Sequence, residues 1–130
     1  MKCEGRVASG AGQGAKFLAL DWVQAELRRH LALVPFPGTL NLQVPPEVRD
    51  ALFAQRKQLL RIADPSAPDC PGYLKQATLR ANGRVCASAY VILPELTMYR
   101  DVLEIISRDP LRETLGLKDG DPVEVEMDLD

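Results

Sequence analysis

The chain has 130 residues, 46% of them hydrophobic and 26% charged, which suits one globular domain and excludes wholesale disorder. Sixteen basic residues against eighteen acidic ones leave a net charge of −2 and a pI near 5.4, not the footprint of a protein held by nucleic-acid phosphates. No apolar run approaches the roughly 20 residues of a membrane span. Met1-Lys2-Cys3-Glu4-Gly5-Arg6 carries charge and no apolar signal region, so a cytoplasmic protein is expected.

Lys2 to Ala8 reads as a strand, with Cys3, Gly5 and Val7 alternating against charged neighbours. Ser9 to Gly14 is a glycine-rich turn, and Phe17, Leu18 and Leu20 follow as a short extended apolar stretch. Asp21 fits a helix N-cap with Gln24 as its capping-box partner. Val23, Leu27 and Leu31 then share one helical face, with Glu26, Arg28 and Arg29 on the other. Pro35-Phe36-Pro37-Gly38 breaks that helix. Thr39 to Val44 alternates as a strand with Leu40, Leu42 and Val44 inward. Pro46 opens a helix running to about Leu60, buried through Val48, Leu52 and Leu59.

Asp64 to Gly72 holds three prolines and a glycine in nine residues and reads as an exposed loop. Tyr73 to Arg80 and Arg84 to Leu93 flank Asn82-Gly83 as a hairpin. Val102 to Ile106 is a further strand. Asp109-Pro110 caps a short helix that Gly116 ends. Asp119-Gly120 turns the chain into a last strand with Val123, Val125 and Met127 inward. About six strands with two or three helices between them, and no βαβ rhythm, predict a single mainly β domain with some α. Its form is a compact barrel or strongly curved sheet with helices in its connections.

Several familiar chemistries find little support. Cys3, Cys70 and Cys86 are widely spaced, and His30 is the single histidine, so a zinc site and a serine-hydrolase triad both lack residues. Reduced thiols suit the spacing better than a disulfide framework. Three stretches remain. Gly10, Gly12 and Gly14 leave backbone amides bare for an anion, with Lys16 close behind, or they simply form a turn between strands. Thr39 and Asn41, two apart on a strand, point the same way; they can hold a hard cation already carrying phosphate oxygens, or lie on a solvated face. Glu95 to Arg112 contains Thr97, Tyr99, Glu104 and Arg112. Glu104 sits among apolar strand residues, a costly place for a charge if that face is buried and an ordinary one if it is wet.

Taken in order, three groups of motifs resemble the CTP-dependent riboflavin kinases best known from archaea. They are Gly10-Ala11-Gly12-Gln13-Gly14-Ala15-Lys16-Phe17, then Pro35-Phe36-Pro37-Gly38-Thr39-Leu40-Asn41, then Val102-Leu103-Glu104-Ile105-Ile106 with Leu111 to Asp121. The resemblance implies a small six-stranded cradle-loop β-barrel. It implies transfer of the γ-phosphate of CTP to the 5′-hydroxyl of riboflavin, giving FMN and CDP, with Mg²⁺ or another divalent cation. It places Gly10, Ala11, Gly12, Gln13, Gly14 and Ala15 in a nucleotide loop, and Thr39 and Asn41 on the metal. Thr97 and Glu104 would meet the flavin, Glu104 also serving the acceptor hydroxyl as its orienting group or base. Asp109, Pro110, Leu111 and Arg112 would line the nucleotide site. The chain departs from the family at Gln13, where Glu is frequent, and at Arg108-Asp109-Pro110. These departures motivate an alternative, a nucleotide- or flavin-binding sensor that keeps the barrel without catalysis. A DNA-binding regulator is disfavoured by the acidic pI. The expected partners are riboflavin and CTP, with no nucleic acid, no membrane and no obligate protein partner.

Overall fold

The structure is a computed structural model that describes residues 1–9, 13–95 and 100–129, with Gln13 described by its backbone alone. Its strands are β1 (Lys2–Ala8), β2 (Leu40–Gln43), β3 (Leu60–Asp64), β4 (Ala67–Ala81), β5 (Arg84–Pro94), β6 (Val102–Ser107) and β7 (Pro122–Glu126). Its helices are α1 (Gln13–Leu18), α2 (Asp21–Leu31), α3 (Pro46–Ala54) and α4 (Leu111–Leu115). The sheet order is β3-β4-β5-β6-β2-β1-β7, and β4 also pairs with β7. That last pairing, Leu79 opposite Val125, closes six antiparallel strands into a barrel and leaves β3 as an additional strand on β4. Closure removes the open edges of the six barrel strands, and with them sites for unwanted pairing.

Alternation along the strands sends two sets of side chains to two cores. Leu40, Leu42, Leu79, Val91, Leu103, Ile105, Val123 and Val125 belong to the larger one, which fills the barrel. Ile62, Leu74, Ile92 and Ile106 belong to a second cluster with Leu18, Val23 and Leu27, so α1 and α2 cover part of the outer face. Val23 and Leu27 are fully buried, as the helical spacing predicts. Asn82 (φ 53°) and Gly83 (φ 73°) both take positive φ, the requirement of the tight turn that joins β4 to β5. Gly116 ends α4 at φ 63°.

Five local expectations are corrected. Phe17 and Leu18 lie in helix α1, not an extended stretch; a helical turn lets Leu18 reach the outer cluster while Phe17 meets the backbone of Gly72. Asp21 is inside α2 and Leu20 is the cap residue; Gln24 donates instead to the Leu18 carbonyl at 2.6 Å. The helix from Pro46 stops at Ala54, and a 3₁₀ turn at Arg56–Gln58 releases the chain into β3, whose pairing with β4 requires extended backbone. Asp64 to Gly72 is not a loop. It closes a hairpin in which Asp64 pairs with Ala67 and Ser66 N–H donates to Asp64 Oδ1 at 3.0 Å. The register shifts between Ile62 and Asp64, opposite the stretch of β4 that holds Pro68 and Pro71. Asp109 is not the cap of α4: Pro110 takes that position with no side-chain cap bond. There are thus four α-helices among the described residues, more than the two or three that the pattern predicted. Among the described residues no helix is long and apolar enough to cross a membrane.

Candidate active site

The site grows from the pairing of β2 with β6. Leu40 lies opposite Ile105, Asn41 opposite Glu104, and Leu42 opposite Leu103. The Leu and Ile residues of these pairs enter the barrel. Strand parity therefore sends Asn41 and Glu104 out of the same wall, side by side. Ile92, on the other side of Glu104, belongs to the outer apolar cluster. A polar pair thus sits at the margin of an otherwise apolar outer face.

Helix α1 begins over this pair. The Gly14 N–H donates to the Glu104 carboxylate, and a Cβ built on Gly14 would lie 2.5 Å from Glu104 Cδ. Glycine is needed here because any side chain would occupy the place of the carboxylate. Burial pushes the Glu104 pKa above the usual carboxylate range, opposed by the charge of Arg49 and by the Gly14 amide. Arg49, on α3, is only 5% exposed, which is rare for a cation without compensating contacts. Its guanidinium lies over the Phe53 ring at 5.4 Å from the centroid and donates to the Pro94 carbonyl at 3.4 Å. Burial lowers its pKa, and the charges of Glu104 and Asp50 oppose that. Arg49 is the residue that the sequence reading missed. Its signal was its place within the predicted helix, three residues before fully buried Leu52.

Two residues back along the chain, Thr39 donates its hydroxyl to Asn41 Oδ1 at 3.0 Å, so the two side chains do share a face. Thr39 also lines a cleft of about 270 Å³ with Phe36, Asp109, Pro110, Leu111 and Arg112. The four residues 109–112 and Thr39 are therefore brought together, although about 70 positions separate them in sequence. Arg112 Nη2 donates to Asp119 Oδ1 at 2.8 Å, and Ser9 Oγ donates to the other oxygen of the same carboxylate at 2.9 Å. These two bonds hold the Asp119 carboxyl below its ordinary pKa. The glycine segment thus has one described flank, Ser9, tied to the Arg112 side of the cleft, and the other, Gly14, over Glu104. Gly10, Ala11, Gly12, Thr97 and Tyr99, and the side chain of Gln13, lie outside the described residues. Ala15 lies in α1 beside Gly14.

A cation at Thr39 and Asn41 is chemically reasonable. Hydroxyl and amide oxygens are hard donors, and an ion that brings phosphate oxygens and waters needs few protein ligands. Among the described residues there is no cluster of three or more His, Cys, Asp or Glu that would hold a metal by itself. Thr39 and Asn41, with Asn41 opposite Glu104 on the paired strand, could supply two such oxygens to a hard divalent cation.

The structure is thus a small closed antiparallel barrel with a carboxylate under the start of a helix, beside a cleft lined by an arginine. Comparison with known proteins narrows the class. The family model for CTP-dependent riboflavin kinases, described as domain of unknown function DUF120, matches residues 7–127. The chain belongs to this family. It is 37% identical to a riboflavin kinase of Archaeoglobus fulgidus over 99% of this chain and 55% of that protein. It is 35% identical to one of Pyrobaculum arsenaticum over 95% of this chain and 59% of that protein. A riboflavin kinase of Methanobrevibacter smithii is 33% identical over 98% of this chain and its own full length. The chain thus spans between about half and two thirds of several longer relatives and the whole of a shorter one.

Proposed function

We propose that this chain is a riboflavin kinase that transfers the γ-phosphate of CTP to the 5′-hydroxyl of riboflavin, yielding FMN and CDP, with Mg²⁺ or a similar divalent cation. The observation that carries the reading is the convergence of Gly14, Asn41, Glu104 and Thr39 beside the Arg112 cleft, in a chain of this family.

Phosphoryl transfer depends mostly on alignment and on screening of charge spread over the phosphoryl oxygens. Arg112 supplies a positive group in the cleft, and Gly10, Gly12 and Gly14, lacking side chains, would offer backbone amides to an anion. Thr39 and Asn41 would hold the cation, whose part when bound is to neutralise polyphosphate charge. Glu104 meets the acceptor. Its carboxylate would accept the hydrogen bond of the riboflavin hydroxyl and fix that oxygen's direction. Burial raises its proton affinity, so the same carboxylate is suited to take the hydroxyl proton as the O–P bond forms. Arg49 opposes that rise and keeps the anion accessible. Flavin is substrate and product here, so no resident flavin is required.

The decisive assay incubates the pure protein with riboflavin, Mg²⁺ and either CTP or ATP and follows FMN. Formation of FMN with CTP supports the reading; FMN with ATP alone would remove CTP preference, and no FMN with any nucleotide would remove the kinase. Tight CDP or FMN binding without turnover would point instead to a sensor. Replacing Asn41 with Ala should reduce turnover about tenfold or more and raise the Mg²⁺ concentration needed for half-maximal rate, with unchanged unfolding. An unaltered Mg²⁺ dependence would remove Asn41 from the metal site.

A further inference from the structure

Phe36 stands out once the cleft beside Thr39 is assigned to the donor nucleotide. It is 47% exposed, a large aromatic ring left in water in a protein whose other apolar side chains mostly fill two cores. Its backbone is held: the Phe36 N–H donates to the Ser107 carbonyl at 2.8 Å, and Pro35 and Pro37 restrict the chain on both sides. The ring lines the cleft with Pro37, Pro110 and Leu111, while Asp109 and Arg112 supply its polar groups. An aromatic wall with charged and polar groups nearby suits a flat heteroaromatic ring joined to an anion.

From this geometry we infer that Phe36 is the platform on which the nucleobase of the donor nucleotide stacks, a binding residue for the base. The inference rests on the proposed kinase reading and adds to it the group that receives the base. The placement fits the direction of the site. Thr39, three residues after Phe36, lies at the end proposed for the cation and phosphates, so the base falls at the other end of one short segment. Gly38, at φ 93° with open space beside its Cα, lets the chain turn between the two without a side chain entering the cleft. A cleft of about 270 Å³ suits a single ring with part of its sugar. Stacking has no hydrogen-bond code, so Phe36 contributes affinity for a base as such, and polar groups of the cleft select among bases.

The test compares a ligand that has a base with one that lacks it. CDP and inorganic tripolyphosphate, each with Mg²⁺, are titrated into the wild-type protein and into Phe36→Ala and Phe36→Trp by calorimetry. Phe36→Ala should weaken CDP about tenfold or more, leave tripolyphosphate within twofold, and leave the riboflavin KM unchanged, while Phe36→Trp keeps CDP affinity. Equal losses for CDP and tripolyphosphate would make Phe36 merely structural and overturn the inference. Unchanged CDP affinity in Phe36→Ala would overturn it too, and a selective rise in riboflavin KM would move the ring to the acceptor side. These outcomes are separate from the parent reading. Wild-type protein that binds CDP through Phe36 yet forms no FMN defeats the kinase and leaves the stacking platform standing.

Discussion

Neighbouring residues of β2 and β6 face two very different surroundings. Leu40, Leu42, Leu103 and Ile105 are at most 5% exposed and belong to the apolar core of the barrel. Asn41 and Glu104, one residue away on the same strands, are partly open and lie beneath the start of α1. The inner face stabilises the fold, and its residues can be exchanged among apolar types of similar volume. The outer face holds a carboxylate whose burial is unfavourable and is offset, among the described residues, by the charge of Arg49 and the Gly14 amide. One ladder of backbone hydrogen bonds therefore carries stability on one side and the proposed site on the other. The inner face sets the distance between the groups on the outer face.

The sharpest way to break this division is to damage each side alone. Leu103→Ala opens a cavity in the barrel and should cost roughly 2–5 kcal/mol of stability, read from urea unfolding, while folded molecules at low temperature retain their rate. A matching loss of rate in the fully folded variant would show that the two faces are not separable. Gly14→Ala acts from the other side. Its methyl would overlap the end of the Glu104 side chain, which can swing away, so the fold should survive. The carboxylate then leaves its place, and FMN formation should fall about a hundredfold with little change in unfolding. Retained activity would mean that the position of Glu104 is not important.

The smallest effect concerns Asp119, which is 60% exposed and bridges Arg112 and Ser9. Its carboxyl pKa in the folded protein lies below the ordinary value of 3.8, through Arg112 and then Ser9. The contribution of this bridge to stability is therefore present above the ordinary value and disappears as pH falls through the lower folded value. Asp119→Asn should be slightly less stable than wild type near neutral pH, and the gap should close below about pH 4. A gap that persists in acid, measured by parallel urea titrations, would show that the carboxylate charge is not its source.

Much of this division is legible along the chain. Period-two patterns mark β1, β2 and β7 closely, because each presents one face to a dry interior, and the mostly apolar run at 102–106 marks β6. Asn82-Gly83 identifies its hairpin because both residues accept positive φ. The motifs around Thr39, Asn41, Glu104 and Arg112 identify the family. Local rules fail where a long-range contact overrides them. Proline density suggests a loop at 64–72, yet pairing of β3 with β4 and the Asp64 turn hold it extended. Phe17 and Leu18 lie in a helix because the outer face of the barrel must be covered.

By itself the sequence determined the mainly β character, most strand positions and their inward residues, since alternation and turn chemistry act over a few residues. It also supplied the motif set that places the chain in its family. Only the tertiary structure decided that β4 meets β7 to close the barrel, and that Arg49 lies buried near Glu104. It also brought Gly14 onto that carboxylate, and Phe36 and Thr39 into one cleft with residues 109–112. Such contacts join segments far apart along the chain. Strand register and helix docking fix them through the summed packing of the whole molecule, which no short stretch of sequence encodes.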